Sequence, residues 1–187
     1  RFGRRGEGDT QLLAQLAEEG GATIEVTPPV LVDGAIVSSS RVRKFVTDGD
    51  VASAARLLTR PFCLRGPVVH GDAVGRTIGF PTANLDAHEQ LRPAAGVYAG
   101  WLTVGGERAA AVCNAGVRPT VSAGKQWRLE AHALDTAGDW YGEAAALELV
   151  ERIRPEQRFS GLEALKQQIA RDCESARQIL SQSIPGN

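Results

Sequence analysis

Methionine is missing from all 187 positions of this chain, including the first, so the chain is expected to be a piece of something longer. No apolar run reaches the length that crosses a bilayer, and no signal-peptide pattern opens the sequence, so neither a membrane span nor export is indicated. There is no C-x-x-C pair. Cys63, Cys113 and Cys173 are odd in number and far apart, which favours reduced thiols in the cytoplasm over disulfides or structural zinc. No sign of charge dominates: 21 Lys and Arg stand against 22 Asp and Glu, so no global field recruits nucleic acid or an anionic membrane. Aromatics make up only 5%, too few for the basic, stacking surface of a single-stranded nucleic-acid binder. Internal repeats and low-complexity tracts are absent as well.

What the chain does have is turns, with 21 glycines and 9 prolines among them. Residues 1–60 read as an α/β segment. Asp9 or Thr10 is placed to cap a helix carrying Leu12, Leu13 and Leu16, which Gly20-Gly21 stops. Ala22 to Val26 is a strand candidate, and Asp33-Gly34 between two short apolar runs is a hairpin signal. Ser38 to Ser40 leads into a helix bearing Val42, Phe45 and Val46. Asp48 or Asp50 can cap another, with Val51, Ala54, Leu57 and Leu58 on its apolar side. Two stripes this short cannot build an independent core, so raised mobility is expected in this segment.

From Pro61 the pattern turns to strands. Phe62 to Val69, Gly96 to Val104, Arg108 to Cys113, Trp127 to Leu134 and Ala144 to Ile153 are separated by glycine turns without intervening helices. That spacing suggests an antiparallel barrel or sandwich. The chain closes on its clearest helix. Ser160-Gly161-Leu162-Glu163 has the form of a capping box, and Leu162, Leu165, Ile169, Cys173, Ala176 and Leu180 follow at spacings of three and four. That face is expected to pack on the sheet.

The most informative stretch runs from Gly71 to Asn84. Gly71, Gly75 and Gly79 allow close approach of main chain to an anion, and Pro81 fixes the turn that follows. Thr82 and Asn84 lie two apart, so an extended backbone projects both on one face. A hydroxyl and an amide carbonyl there could complete the shell of a hard cation such as Mg²⁺, together with nucleotide phosphates. On residue types alone, a loop entering a strand, with Thr and Asn satisfying backbone groups, explains the same residues.

The stretch Val68 to Gly71, continued by Gly75-Arg76-Thr77-Ile78-Gly79-Phe80-Pro81-Thr82-Ala83-Asn84, resembles the signature of riboflavin kinases. The resemblance continues in order through Gly96 to Trp101, Asn114 to Thr120, Leu129 to His132, Asp139 to Gly142 and Arg154 to Phe159, covering roughly residues 61–182. Phe2 to Asp9 and Val37 to Arg43 resemble the end of the adenylyltransferase module of bifunctional riboflavin kinase/FAD synthetases. The H-x-G-H signature of that module is absent, so no adenylyl transfer is expected of this chain alone. The expected organisation is therefore a module remnant over 1–60 and a kinase domain over 61–187. The expected fold is mainly β, a Greek-key-like antiparallel β-barrel with a long C-terminal helix, preceded by a partial α/β segment.

The resemblance implies transfer of the γ-phosphoryl of ATP to the ribityl hydroxyl of riboflavin, giving FMN and ADP. By that resemblance Gly71 and nearby N–H groups cradle phosphates, Arg76 neutralises their charge, and Thr82 and Asn84 hold Mg²⁺. Ala133, Asp135 and Tyr141 match nucleotide contacts, and Arg154 and Phe159 match the flavin side. Arg154-Pro155 reads equally as a strand end with a solvated charge, and Phe159 as a staple for the helix. Glu130 is the general-base candidate. Strand parity points it away from Leu129 and Ala131, and a carboxylate at a barrel mouth needs a reason such as proton removal. Spacing alone allows an ordinary surface Glu. His70, His88 and His132 lack metal-ligand spacing. His132 shares parity with Glu130, so either a supporting role or ordinary packing fits it.

Two departures from the family pattern stand out: Val74, where a basic residue or glycine is common, and the compact loop Ser122-Ala123-Gly124-Lys125-Gln126. A barrel that binds flavin or nucleotide without catalysis is the alternative reading. Retention of Glu130 beside Thr82 and Asn84 argues against it. Neither nucleic acid nor membrane is expected as a partner, and self-association of a full-length parent stays open.

Overall fold

The structure, a computed structural model, describes residues 2–71, 74–87, 89–119 and 125–183, with the side chains of Arg4, Val74, Arg118, Pro119, Lys125 and Gln126 left aside. Asp72, Ala73, His88 and the Thr120 to Gly124 part of the compact loop lie outside the described residues. The chain divides into two compact units between Val37 and Ser38.

In the first unit, α1 (Thr10–Glu19) starts at Asp9, whose carboxylate accepts hydrogen bonds from the N–H groups of Gln11 and Leu12 at 3.0 and 2.9 Å. Its apolar stripe is not covered: Leu12, Leu13 and Leu16 are all exposed. The strand expected over Ala22 to Val26 does not form, because no strand among the described residues pairs with it. A minimal hairpin follows, β1 (Leu31–Val32) and β2 (Ala35–Ile36), joined at Asp33-Gly34.

The second unit opens with α2 (Ser39–Asp48), capped by Ser38, and α3 (Val51–Leu58), capped by Asp50. The strands then run β3 (Phe62–Val69), a single helical turn α4 (Val74–Thr77), β4 (Ala83–Leu85), β5 (Gly96–Val104), β6 (Glu107–Pro119), β7 (Lys125–Ala133) and β8 (Ala144–Arg154), and α5 (Leu162–Gln182) ends the chain. Six of these strands close an antiparallel barrel in the order β3-β4-β7-β6-β5-β8. β6 reaches six residues beyond the expected Cys113, and those added residues carry the motif after Asn114.

Alternation decides the inside. Trp127, Leu129, Ala131 and Ala133 of β7 join Leu64, Tyr98, Leu102, Leu147 and Leu149 in the barrel core. Each fully buried large side chain there contributes about 1.5–3 kcal/mol. A second layer lies outside the barrel, where α5 packs Cys173, Ala176 and Leu180 on Val97, Ala99 and Val112. β5 is therefore buried on both faces along its first half, which explains its nearly unbroken apolar run.

Two expectations change here. Val46, Val51, Ala54 and Leu57 are buried, and α3 packs on β3 and β8, so packing joins residues 38–60 to the barrel rather than to the segment before them. The capping box at Ser160 does not form. Gly161 takes the N-cap position and has no side chain to offer, and Leu162 is 58% exposed, so the buried stripe starts further along.

Candidate functional site

β4 and its approach bear out the one-face reading of Thr82 and Asn84. Ala83 and Leu85 are buried, while Thr82 and Asn84 between them are half-buried on the opposite side. Pairing then lines up a row across the sheet. Asn84 lies opposite Glu130, Glu130 opposite Asn114, Asn114 opposite Val97, and Val97 opposite Arg154. Directly opposed residues of antiparallel strands share a face, with Cα atoms about 4.5–5.5 Å apart. Glu130 thus sits between two side-chain amides.

That face is the outer one, because Leu129 and Ala131 on either side of Glu130 fill the barrel core. Glu130 is therefore not inside a barrel mouth. It stands on the barrel wall, half-buried, in a cleft flanked by α5 and the loop before it. Among the described residues, the side chains of Thr82, Asn84, Asn114 and Glu130 make no hydrogen bond with the protein. Thr82, Asn114 and Glu130 line that cleft and Asn84 lines the one beside it, and polar groups with their bonding capacity unspent suit a polar ligand.

Two clefts meet at Thr82. One, of about 590 Å³ including its open side, is lined by Gly71, Arg76, Thr82, Asn84, Ala133 and Tyr141. The other, about 1600 Å³, is lined by Thr82, Asn114, Glu130, Arg154, Glu156 and Phe159. The expected nucleotide residues thus fall mostly in the first cleft and the expected base and flavin residues in the second. Asp135 falls in neither: it accepts a hydrogen bond from Arg177 of α5 at 3.0 Å. Tyr141 is 38% exposed and stacks on His70 with ring centroids 3.8 Å apart.

Local geometry shows why small residues stand where they do. A Cβ on Gly71 would collide with the Asn84 amide, so glycine lets the main chain pass directly against that side chain. A Cβ on Gly116 would collide with the Glu156 carboxylate, which lies over β6 in the second cleft. His132 holds the motif in place: its Nδ1 is 2.8 Å from the Pro81 carbonyl oxygen, and its ring meets Phe80 edge-on. That is a supporting contact one residue from Thr82.

Arg154 is not a solvated strand end. Its side chain is 16% exposed and pairs with Asp172 of α5, Nη2 donating to Oδ2 at 2.7 Å and Nε to Oδ1 at 2.9 Å. Its guanidinium lies 5.8 Å from the Phe159 ring centroid. Sequence reasoning did not single out Asn114, Glu156 or Asp172. Asp172 left a trace, a charge inside the Ile169, Cys173, Ala176 stripe. Asn114 left none beyond its motif, because only strand register sets it beside Glu130.

The donor set also bears on a metal. Among the described residues, no three His, Cys, Asp or Glu side chains gather to hold one. A neutral hydroxyl and amide oxygen on one face instead fit Mg²⁺, which keeps waters and takes its remaining ligands from phosphates.

The family model described as riboflavin kinase matches residues 58–180. The bifunctional riboflavin kinase/FMN adenylyltransferase of Escherichia coli (strain K12) is 45% identical over 186 residues, covering 99% of this chain and 59% of that protein. The Pseudomonas fluorescens protein of the same description is 39% identical over 182 residues, covering 97% and 58%. A crystal structure from Streptococcus pneumoniae, described as a macrolide-efflux protein, superposes with a TM-score of 0.83 at 34% identity, over 94% of this chain and 57% of that one. Among the described residues, no helix of this chain is long and apolar enough to cross a membrane. The chain spans less than three fifths of the length of these relatives, to the nearest few residues.

Proposed function

This chain belongs to the riboflavin kinase family, and on that premise we propose that it transfers the γ-phosphoryl group of ATP to the ribityl 5′-hydroxyl of riboflavin, giving FMN and ADP. The observation that carries the reading is the row Asn84, Glu130, Asn114 across the outer wall of the barrel, with Asn84 in the first cleft, Glu130 and Asn114 in the second, and Thr82 in both.

Phosphoryl transfer is chiefly a matter of positioning and of neutralising charge. The triphosphate lies along the Gly71 to Thr82 stretch, where the absence of a Cβ at Gly71 leaves room for close approach. Arg76, exposed on α4 at that cleft, pairs with phosphate oxygens. The Thr82 hydroxyl and Asn84 carbonyl oxygens would hold Mg²⁺, which would offset negative charge on the phosphates.

Glu130 accepts the proton of the 5′-hydroxyl as its oxygen bonds to the γ-phosphorus. The bond from that phosphorus to the bridging oxygen breaks, and ADP leaves with the electron pair. Asn84 and Asn114 flank the carboxylate and limit where the hydroxyl can sit. A barrel that only bound flavin or nucleotide would need no base beside a metal site, which favours catalysis over that alternative.

The test is incubation of the chain with riboflavin, ATP and Mg²⁺, with products separated by chromatography. FMN and ADP are expected in equal amounts, and chelation of the metal is expected to stop both. Riboflavin recovered unchanged would refute the proposal.

A further inference from the structure

We infer that Asp172, on the C-terminal helix, is a positioning residue for flavin: it fixes the Arg154 guanidinium at the ring end of the flavin-side cleft. The inference rests on the kinase reading above and concerns a residue outside the contacts used there.

Asp172 is 2% exposed, the one charged side chain so buried among the described residues. Its carboxylate accepts from Arg154 Nε at 2.9 and 3.1 Å, from Arg154 Nη2 at 2.7 Å, and from Gln168 Nε2, one helical turn earlier, at 2.9 Å. Arg154 Nη1 in turn donates to the Pro155 carbonyl oxygen at 3.1 Å. These bonds lock the guanidinium plane from two sides. Arginine carries about five N–H donors in a rigid fork, so with one on each nitrogen engaged, Nη1 and Nη2 each keep one. Arg154 and Asp172 both line the cleft that holds Glu130.

Register sets the span. From Glu130 the row passes through Asn114 and Val97 to Arg154, three steps between strands and so about 14 Å along the wall. A flavin whose ribityl hydroxyl lies at Glu130 therefore brings its ring system toward Arg154. There the guanidinium can meet carbonyl and imine acceptors on the ring edge while Phe159 covers a ring face. A buried ion pair is weak evidence of stabilisation, since desolvation of both charges offsets their attraction. Placement of this pair on the cleft wall is accounted for by orientation of Arg154.

Two variants of the whole chain test this, Asp172→Asn and Arg154→Lys. The first removes the charge that holds Arg154, and the second keeps a cation but loses the fork. Each is expected to raise the KM for riboflavin, and its Kd from quenching of riboflavin fluorescence with ADP and Mg²⁺ present, by about tenfold or more. The KM for ATP should stay within about twofold and kcat within a few-fold, a split that loss of packing would not produce. If Asp172→Asn fails to fold by circular dichroism, Arg154→Lys decides alone. Riboflavin constants near wild type in a folded variant overturn the inference, as does a fall in melting temperature and kcat with a parallel rise in both substrate constants. A wild-type chain that binds riboflavin but forms no FMN overturns the kinase reading, and the fluorescence titration then still judges Asp172. A wild-type chain that does not bind riboflavin overturns both.

Discussion

Of the two clefts that share Thr82, the proposed nucleotide side draws on two runs of chain, Gly71 to Asn84 and Ala133 to Tyr141, whereas the proposed flavin side adds to Gly75–Thr82 residues of β6, β7, β8, α5 and the loop between the last two. A contiguous site needs its residue types in a fixed local order, so it leaves a motif. A site assembled from distant elements is fixed by register and packing, so it leaves almost none. Substitutions in the two clefts should therefore separate ATP constants from flavin constants, and how cleanly they do so tests the division.

The largest effect is expected where the clefts meet. Glu130→Gln should lower kcat by about 10²–10⁴, the usual range for a positioned base, with nucleotide binding within a few-fold of wild type. Turnover within a few-fold of wild type would remove Glu130 from the role. Next is Gly71→Ala, whose new methyl group would push into the Asn84 amide. It should cost kcat/KM for ATP about 10²-fold through misplacement of Thr82 and Asn84, with the Kd for riboflavin little changed. An equal loss on the flavin side would break the division. Phe159→Ala should do the reverse on a smaller scale, raising riboflavin KM about tenfold and leaving ATP KM alone.

The smallest effect is common to both clefts. Burial pushes the Cys63, Cys113 and Cys173 thiols up, most of all Cys113, which lies under the cleft wall beside Asn114. In the unfolded chain thiols ionise near pH 8.5, while in the folded chain these stay protonated to higher pH. The unfolded state then releases protons first, so stability is full below about pH 8.5 and falls as pH rises past it. Chemical denaturation at pH 7.5 and pH 9.5 should show this loss, and it should shrink when Cys113 is replaced by Ser or Ala.

Much of the barrel was legible because its signals are local. Alternation in Phe62 to Val69 and Trp127 to Ala133, and glycine turns between strands, mark elements that packing then confirms. The first segment shows the limit of such signals. Ala22 to Val26 has strand-forming residues but no partner strand among the described residues, and strand propensity without pairing does not hold a strand. The leucine stripe of α1 has helical spacing yet stays exposed, whereas the stripe of α3 finds the barrel and that of α2 packs against α3. At the site, parity correctly turned Glu130 away from Leu129 and Ala131. Which side of the barrel that was, and that Asn114 and Arg154 share it, depended on pairing no motif records. The Asp172 contact was beyond reach for the same reason, since it joins positions 18 residues apart on a strand and a helix.

The central claim is that the two clefts form one site for direct transfer from nucleotide to flavin. A rapid-quench single turnover with γ-labelled ATP, riboflavin and Mg²⁺ tests it most directly. Label leaving ATP should appear in FMN at the same rate and in the same amount, with none passing through inorganic phosphate. Label released as inorganic phosphate while riboflavin stays unmodified would contradict the account.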